Sequence, residues 1–531
     1  MVKPRWRAGE NPAGTAYRSL PAGAQDALKP AVRLARNMRT RGVRRAVLPT
    51  LPLPMGAEIT RRERAAVDAV LAALHAAGLK HFLIPRQEPG NIHIGLPAEQ
   101  RTAFLRQLLI SGRDLSVSWK GGPTWRTIEA PRAMESLAAR QDVVWVHHLR
   151  GATNGPDVRD AARAVAVEFW TDIGDGRHQA VVRNAYASLV NMSAPQVTRQ
   201  IRTGHYLPTF PAFATPDIAD VEFPVDAVYL WVDDADADWR VRRDATMRAL
   251  GVEPSHESVD AARFRQHDEL RYSLRSLSMF APWVRHVYLV TDQQQPDWLD
   301  TGCPRLTVVD HRELMGDAGS LPTYNSHALS ARLHHIDGLA DHYLYLNDDV
   351  FFGRRTGAEL WFGGNGLPRF HNTNSLVDPP DLPDALPHVK ARNHTLELVE
   401  QLTGRTRRRN IQHGPHPMSK SLLMELEERL PEEFAQTWSS QLRGDQDIVI
   451  EWLHNQYGYA TGKALDGRSV RYRYFNLGDE GIEGSLDGVS LNMPDTLCIN
   501  DGEGPTPPED RDRIVRGFLA NEYPRPSEFE R

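Results

Sequence analysis

The run HYLYLNDDVFF, residues 342–352, decides how this chain is read. Apolar residues continue to Leu346, stop at Asn347, Asp348 and Asp349, and resume at Val350. A near-continuous apolar run of this length suits a strand buried on both faces of a mainly parallel sheet. The two carboxylates at its end repel each other and are costly to bury, so they call for a positive partner.

Three earlier runs share this build: VDAVYLWVDD (225–234), HVYLVTD (286–292) and LTVVDH (306–311). Helical stretches separate them. In DELRYSLRSLSMFA (268–281), Leu270, Leu274 and Leu277 form one stripe. In NSHALSARLHHIDGL (325–339), Leu329, Leu333 and Ile336 form another, with Asn325 or Ser326 as N-cap. Alternating strands and helices predict an α/β sheet of nucleotide-binding, Rossmann-like type. The four strands end in Asp233, Asp292, Asp310 and Asp348, and TLCIND (496–501) ends a fifth in Asn500 and Asp501. Ligands of open α/β sheets bind beyond the carboxyl ends of the strands. A single Asp there is usually a turn residue or a cap, so two or three of the five endings are expected to be functional.

The chain has 531 residues, too many for one core. With 41% hydrophobic and 25% charged residues it reads as a soluble globular protein. A net charge of -5 and a pI near 6.5 exclude an obvious nucleic-acid binder. Cys303 and Cys498 are the only cysteines, which excludes a disulfide framework and fits no zinc spacing. No run is long enough to span a membrane and no apolar signal core opens the chain. A cytoplasmic enzyme is the expected class.

Residues 1–50 read as a basic, partly disordered tail; a second reading is peripheral contact with anionic lipid. Residues 51–215 read as a small α+β domain. Its helix places Val67, Val70, Leu71 and Leu74 on one face, and HFLIP, NIHIGL, LSVSW, VVWVHHL and VAVEFW are its strands. A Pro-rich stretch near residue 215 marks the boundary, and residues 216–531 form the catalytic domain.

Paired acids at strand ends suit Mg²⁺ or Mn²⁺, bound together with a diphosphate. The bland alternative is a helix cap with a salt bridge to Arg354 or Arg355. Arg271 and Arg275, spaced i, i+4, can clamp a diphosphate, although an Asp268–Arg271 ion pair explains them equally. HGPHPMSK (413–420) sets His413 and His416 among stiffening prolines, where His413 can serve proton transfer. Taken alone these read as satisfied loop histidines. No third soft ligand lies at a spacing that would make them a zinc site.

RFRQHDELRYSLRSLSMFAPWVRHVYLVTDQQQPDWL (263–299), continuing through LPTYNSHALSARLHHIDGLADHYLYLNDDVFF (321–352), closely resembles the second motif block of the Stealth family. VDAVYLWVDDADADW resembles the first block, QHGPHPMSKSLLMELEERLPEEFAQT with QDIVIEWLHNQYGYATGKA the third, and TLCIND the short fourth. All four stand in family order. One departure is Asp234, where the family often has Gly. Stealth proteins are sugar-phosphate transferases of microbial capsule and exopolysaccharide synthesis, similar to the animal enzyme that adds N-acetylglucosamine-1-phosphate to lysosomal glycoproteins.

The resemblance implies a glycosyltransferase-A-like catalytic fold that moves a sugar-1-phosphate from a nucleotide-sugar, of UDP-N-acetylhexosamine type, to a hydroxyl of a glycan acceptor. It implies Asp348, Asp349 and Asp501 as ligands of Mg²⁺ or Mn²⁺. Asp348, His413, Arg271 and His416 become catalytic candidates, with His413 or Asp348 as base. Asp233, Asn325, Asn347, Asn374, Arg392 and Asn500 become substrate contacts. The rival readings are a metal-dependent glycosyltransferase releasing nucleoside diphosphate and a non-catalytic polysaccharide-assembly protein.

Overall fold

The computed structural model describes residues 45–46, 56–84, 92–111, 115–121, 124–128, 140–148, 164–184, 186–201, 205–252, 264–380, 385–467, 470–490 and 493–531. The basic tail, apart from Arg45–Ala46, lies outside the described residues, and so does its reading as a lipid contact.

All five apolar runs expected in the N-terminal region contain strands: Phe82–Ile84, His93–Pro97, Leu115–Gly121, Val143–His148 and Val165–Asp172. They share one mixed sheet. The helix Gly56–Ala76 buries Val67, Val70, Leu71 and Leu74 in a core with Phe104, Leu105, Val144 and Phe169.

Residues 225–419 supply a second sheet. Its strands are β1 (Val225–Leu230), β2 (Val287–Thr291), β3 (Leu306–Asp310), β4 (His342–Asn347) and β5 (His416–Ser419). They lie in the order β3-β2-β1-β4-β5. The first four are parallel, and only β5 runs antiparallel, against β4. The α/β class expected from the sequence is the one observed. Helix α1 (Glu269–Phe280) buries Leu270, Leu274 and Leu277 against one face of this sheet. Each contributes on the order of 1.5–3 kcal/mol relative to an exposed leucine. Leu329, Leu333 and Ile336 pack on the other face.

The helix expected over 325–339 is broken. Ser326–Ser330 is α-helical and Leu333–His335 is a 3₁₀ turn. Trp438 Nε1 donates to the Ala331 carbonyl at 3.2 Å, and the His335 N–H goes to the Arg332 carbonyl instead.

Strand order reverses at β1, so the switch point lies between the carboxyl ends of β1 and β4. The register pairs Leu230 with Asn347. Trp231 to Asp234 therefore emerge beside Asp348 and Asp349. Immediately beyond, Val350–Phe352 leaves the central sheet and pairs with Thr496–Asn500. Asp348 and Asp349 are thus the two-residue joint between two sheets.

Candidate active site

Asp348 and Asp349 are both half-buried, and no Lys or Arg among the described residues salt-bridges either one. Arg354 pairs instead with Asp495, which removes one ion-pair partner expected for the acids. Asp348 Oδ2 accepts a hydrogen bond from Gln266 Nε2 at 2.8 Å, and Gln266 Oε1 accepts from Trp231 Nε1 at 3.0 Å. Gln266 therefore ties the end of β1 to the end of β4. Asp349 Oδ2 accepts from the Cys498 thiol at 3.2 Å. Asp349 Oδ1 is buried without a hydrogen-bond partner and lies 3.8 Å from His413 Nε2.

Burial, then the Asp349 charge, pushes Asp348 up to about 7. Burial pushes Asp349 up to about 6 against the opposing thiol hydrogen bond. Glu269, only 5% exposed, stands behind them and is pushed up to about 8 by burial and then by Asp348. Its carboxylate accepts from the His267 backbone N–H. Three acids with raised pKa values, no neutralising cation and an orphaned buried carboxylate oxygen fit a site that takes a divalent ion. Asp348 and Asp349 could hold such an ion.

His413 faces this pair from the loop before β5. Its Nε2 lies 3.0 Å from Asn347 Nδ2, and Tyr345 donates its hydroxyl to Asn347 Oδ1 at 3.2 Å. The amide N–H donates, so Nε2 accepts and carries no proton. Burial, then the Arg392 charge, lowers the imidazole to about 4, so it is neutral near pH 7. The ring is open to solvent on one side, with 39% of its side chain exposed. Arg392 is half-buried with its guanidinium 5.8 Å from the Trp452 ring, and it makes no salt bridge among the described residues. Tyr474, half-exposed, completes this wall with its ring 6.3 Å from His413.

The structure thus brings Asp348, Asp349, Asn347, His413 and Arg392 together. Four other sequence candidates are redirected. Arg271 Nε donates to Glu530 at 2.6 Å, and Arg275 grips the same carboxylate through two nitrogens, so this pair clamps the C-terminal segment rather than a diphosphate. Asp268 pairs with Arg516 and not with Arg271. Asn325 is fully buried; it caps its helix through His327 N at 3.0 Å and donates to Asp447 at 2.8 Å, so it cannot reach a substrate. His416 lies on β5 opposite Tyr345, walled in with Trp361, Phe370 and His371; burial, then His413, lowers it to about 3. Asp501 is held by Arg511 at 2.7 Å and Arg265 at 3.0 Å. Burial opposes its charge, but His267, 3.5 Å away, and the hydrogen bond from Arg511 outweigh that and lower its pKa. Two guanidiniums already do for Asp501 what a metal would do.

The remaining candidates are peripheral. Asp233 closes a turn onto Ala235 N at 2.8 Å, with its backbone held by Gln294. Asn374 is exposed, accepts from Arg409 at 3.2 Å and borders a 340 Å³ cavity with Gln412, Tyr472 and Arg473. Asn500 is half-buried at the end of its strand. Asp292 pairs with Arg242 at 3.0 Å and Asp310 caps a helix, which makes those endings structural. Sequence reasoning missed Gln266, Glu269 and Cys498. Gln266 and Glu269 carry no periodic signal, and Cys498 reaches Asp349 only through the pairing of Val350 with residue 498.

At the switch point of this α/β sheet, two half-buried acids that no Lys or Arg among the described residues neutralises face a neutral imidazole and the Arg392 guanidinium. The chain belongs to the Stealth family. Residues 223–251 match Stealth protein CR1, conserved region 1; residues 263–370 match CR2, conserved region 2; and residues 412–458 match CR3, conserved region 3. The chain is 36% identical to an exopolysaccharide phosphotransferase of Streptomyces coelicolor over 90% of its own length and 51% of that protein. A second from that organism is 32% identical over 88% and 84% of the two chains. CpsY, an exopolysaccharide phosphotransferase of Mycobacterium tuberculosis, is 36% identical over 62% of each. The chain spans about half the length of the first of these relatives and most of the second. Among solved structures, the galactosyltransferase LgtC with donor and acceptor sugar analogs covers 55% of this chain and 95% of its own, at 12% identity and a TM-score of 0.29, too distant to argue from.

Proposed function

We propose that this protein is an exopolysaccharide phosphotransferase that moves a sugar-1-phosphate from a nucleotide-sugar to a hydroxyl of a glycan acceptor. The observation that carries this reading is the meeting of Asp348 and Asp349 with His413 at the switch point of the sheet. The acceptor oxygen bonds to the sugar-linked phosphorus, the bond from that phosphorus to the nucleotide oxygen breaks, and nucleoside monophosphate leaves. The product is a phosphodiester.

His413 takes the acceptor proton on Nε2, the nitrogen that the Asn347 amide keeps unprotonated. Its lowered pKa rises when a diphosphate arrives, because a nearby negative charge favours the imidazolium. Arg392 is free to pair with phosphate oxygens. Gln266 fixes the orientation of Asp348, and Asp348 with Asp349 would hold Mg²⁺ or Mn²⁺. When bound, that ion offsets charge on the diphosphate.

The division into residues 51–215 and 216–531 is part of this proposal, with the chemistry placed in the second unit. So are a UDP-N-acetylhexosamine donor and a cytoplasmic location. Among the described residues no helix is long and apolar enough to cross a membrane.

Phosphorus NMR of the products, with the donor labelled at its sugar-linked phosphate, tests the reaction. Label in a product diester supports it. Label leaving in a nucleoside diphosphate would identify a glycosyltransferase instead.

A further inference from the structure

We infer that Asp349, His413 and Cys498 form a three-ligand site for a borderline divalent ion of the zinc and cobalt class. The three residues come from separate parts of the fold. Asp349 is in the joint between the sheets, His413 in the loop before β5, and Cys498 on the strand Thr496–Asn500.

Their ligand atoms converge, with a different Asp349 oxygen turned to each partner. Asp349 Oδ2 is 3.2 Å from Cys498 Sγ, Asp349 Oδ1 is 3.8 Å from His413 Nε2, and all three groups offer atoms within 4.8 Å of one another. Zinc–ligand bonds of about 2.0–2.3 Å in a tetrahedron put ligand atoms roughly 3.3–3.8 Å apart.

The other convergent group, His334, His335 and Glu427, differs in this respect. Both imidazoles there stand 2.6 Å from one carboxylate oxygen, which is hydrogen-bond spacing. Among the described residues, both Nε2 atoms of that group are already committed to Glu427 Oε2.

Two features at Asp349 point to a ligand. Its Oδ1 is buried and orphaned, and it faces the unprotonated nitrogen of His413. Asp349 is 18% exposed and His413 39%, so an ion enters from the His413 side and keeps its fourth position open there. It displaces the Asn347–His413 hydrogen bond and the Cys498 proton, and the thiolate replaces the thiol. A thiolate and an imidazole favour zinc or cobalt over Mg²⁺, which seeks oxygen.

The site itself does not depend on the transfer reading. One consequence does: with zinc bound, His413 is withdrawn from proton transfer, so the same ion inhibits.

Cobalt added to the metal-stripped full chain, with no nucleotide-sugar present, tests the site. The expected result is a thiolate-to-cobalt charge-transfer band in the near ultraviolet, bleached by equimolar Zn²⁺ and by Mg²⁺ only in large excess, because the two sites share Asp349. Cys303→Ser retains the band and Cys498→Ser abolishes it. His413→Ala, altered on the open side, weakens cobalt binding by roughly 10–100-fold or more. No band in the wild type, or a band that survives Cys498→Ser, overturns the site. Should Cys498→Ser fail to fold, unchanged cobalt affinity in His413→Ala overturns it. Because the readout is spectroscopic and substrate-free, its failure leaves the transfer reading standing, and failure of transfer leaves the band intact.

Discussion

Asn347 and His413, 66 residues apart in sequence, meet at 3.0 Å through Nδ2 and Nε2. The contact joins the last residue of a parallel strand to a proline-stiffened loop. It sets both the aim and the tautomer of the imidazole. His413 is therefore oriented by the same short segment, Asn347-Asp348-Asp349, that carries the acids.

Asp348→Asn keeps size and removes charge. Transfer should fall by at least roughly 10²–10³-fold, the scale of losing one electrostatic group at a reaction centre. The fold should persist, since the change relieves repulsion with Asp349 and Glu269. Mg²⁺ should raise the melting temperature of the wild type and not of the variant. Wild-type turnover in Asp348→Asn at ordinary Mg²⁺ would remove Asp348 from the site.

Gln266→Leu cuts the bridge between Trp231 and Asp348. The expected effect is a lower kcat with KM for the nucleotide-sugar little changed, because the residue positions an acid without touching the donor. Trp231 fluorescence should shift as its indole N–H loses its partner. Unchanged kcat alongside shifted fluorescence would show that the bridge is structural only.

Arg392→Ala should cost roughly 10–100-fold in kcat/KM, as for a lost charge-assisted contact to phosphate. Arg271→Lys should instead lower thermal stability while leaving kcat/KM near wild type, because its partner is Glu530. The reverse pattern would restore the diphosphate clamp expected from the i, i+4 spacing. Steady-state kinetics and thermal unfolding of both variants decide the matter.

The Glu530 clamp gives a pH dependence with a definite sign. Burial disfavours its charge, but hydrogen bonds from Arg275 and Arg271 outweigh this and hold it at about 2, against an ordinary 4.5. A depressed carboxylate contributes stability above its unfolded pKa and loses it as pH falls through the folded one. The clamp is therefore intact above about pH 4.5 and fades towards pH 2, a change on the order of 2–3 kcal/mol. Denaturant unfolding across that window should show this slope in the wild type and a shallower one in Glu530→Gln.

Periodicity carried the fold a long way. The four parallel strands, the stripe Leu270–Leu274–Leu277 and the helix face Val67–Val70–Leu71–Leu74 all follow from burial patterns that repeat along the chain. The acids at 348 and 349 were legible because two adjacent charges break an apolar run. Arg271 misled because local spacing cannot reveal Glu530, more than 250 residues away. Asn325 misled because its partner Asp447 lies 122 residues further along the chain. Cys498 carries no signal of its own in the sequence, because only strand pairing places it against Asp349.

The joint between the two sheets also orders events during synthesis. Asp349 is made long before Cys498, and the strand that completes its surroundings is Thr496–Asn500, close behind which come Arg511 and Glu530. Until that segment is made, the corner lacks a wall and the face of the central sheet that carries α1 lacks Leu497, Val515, Leu519 and Phe529 of its core. Under the proposed function, a chain ending before Thr496 is expected to lack transfer, because it loses Cys498 beside Asp349 together with this part of the core.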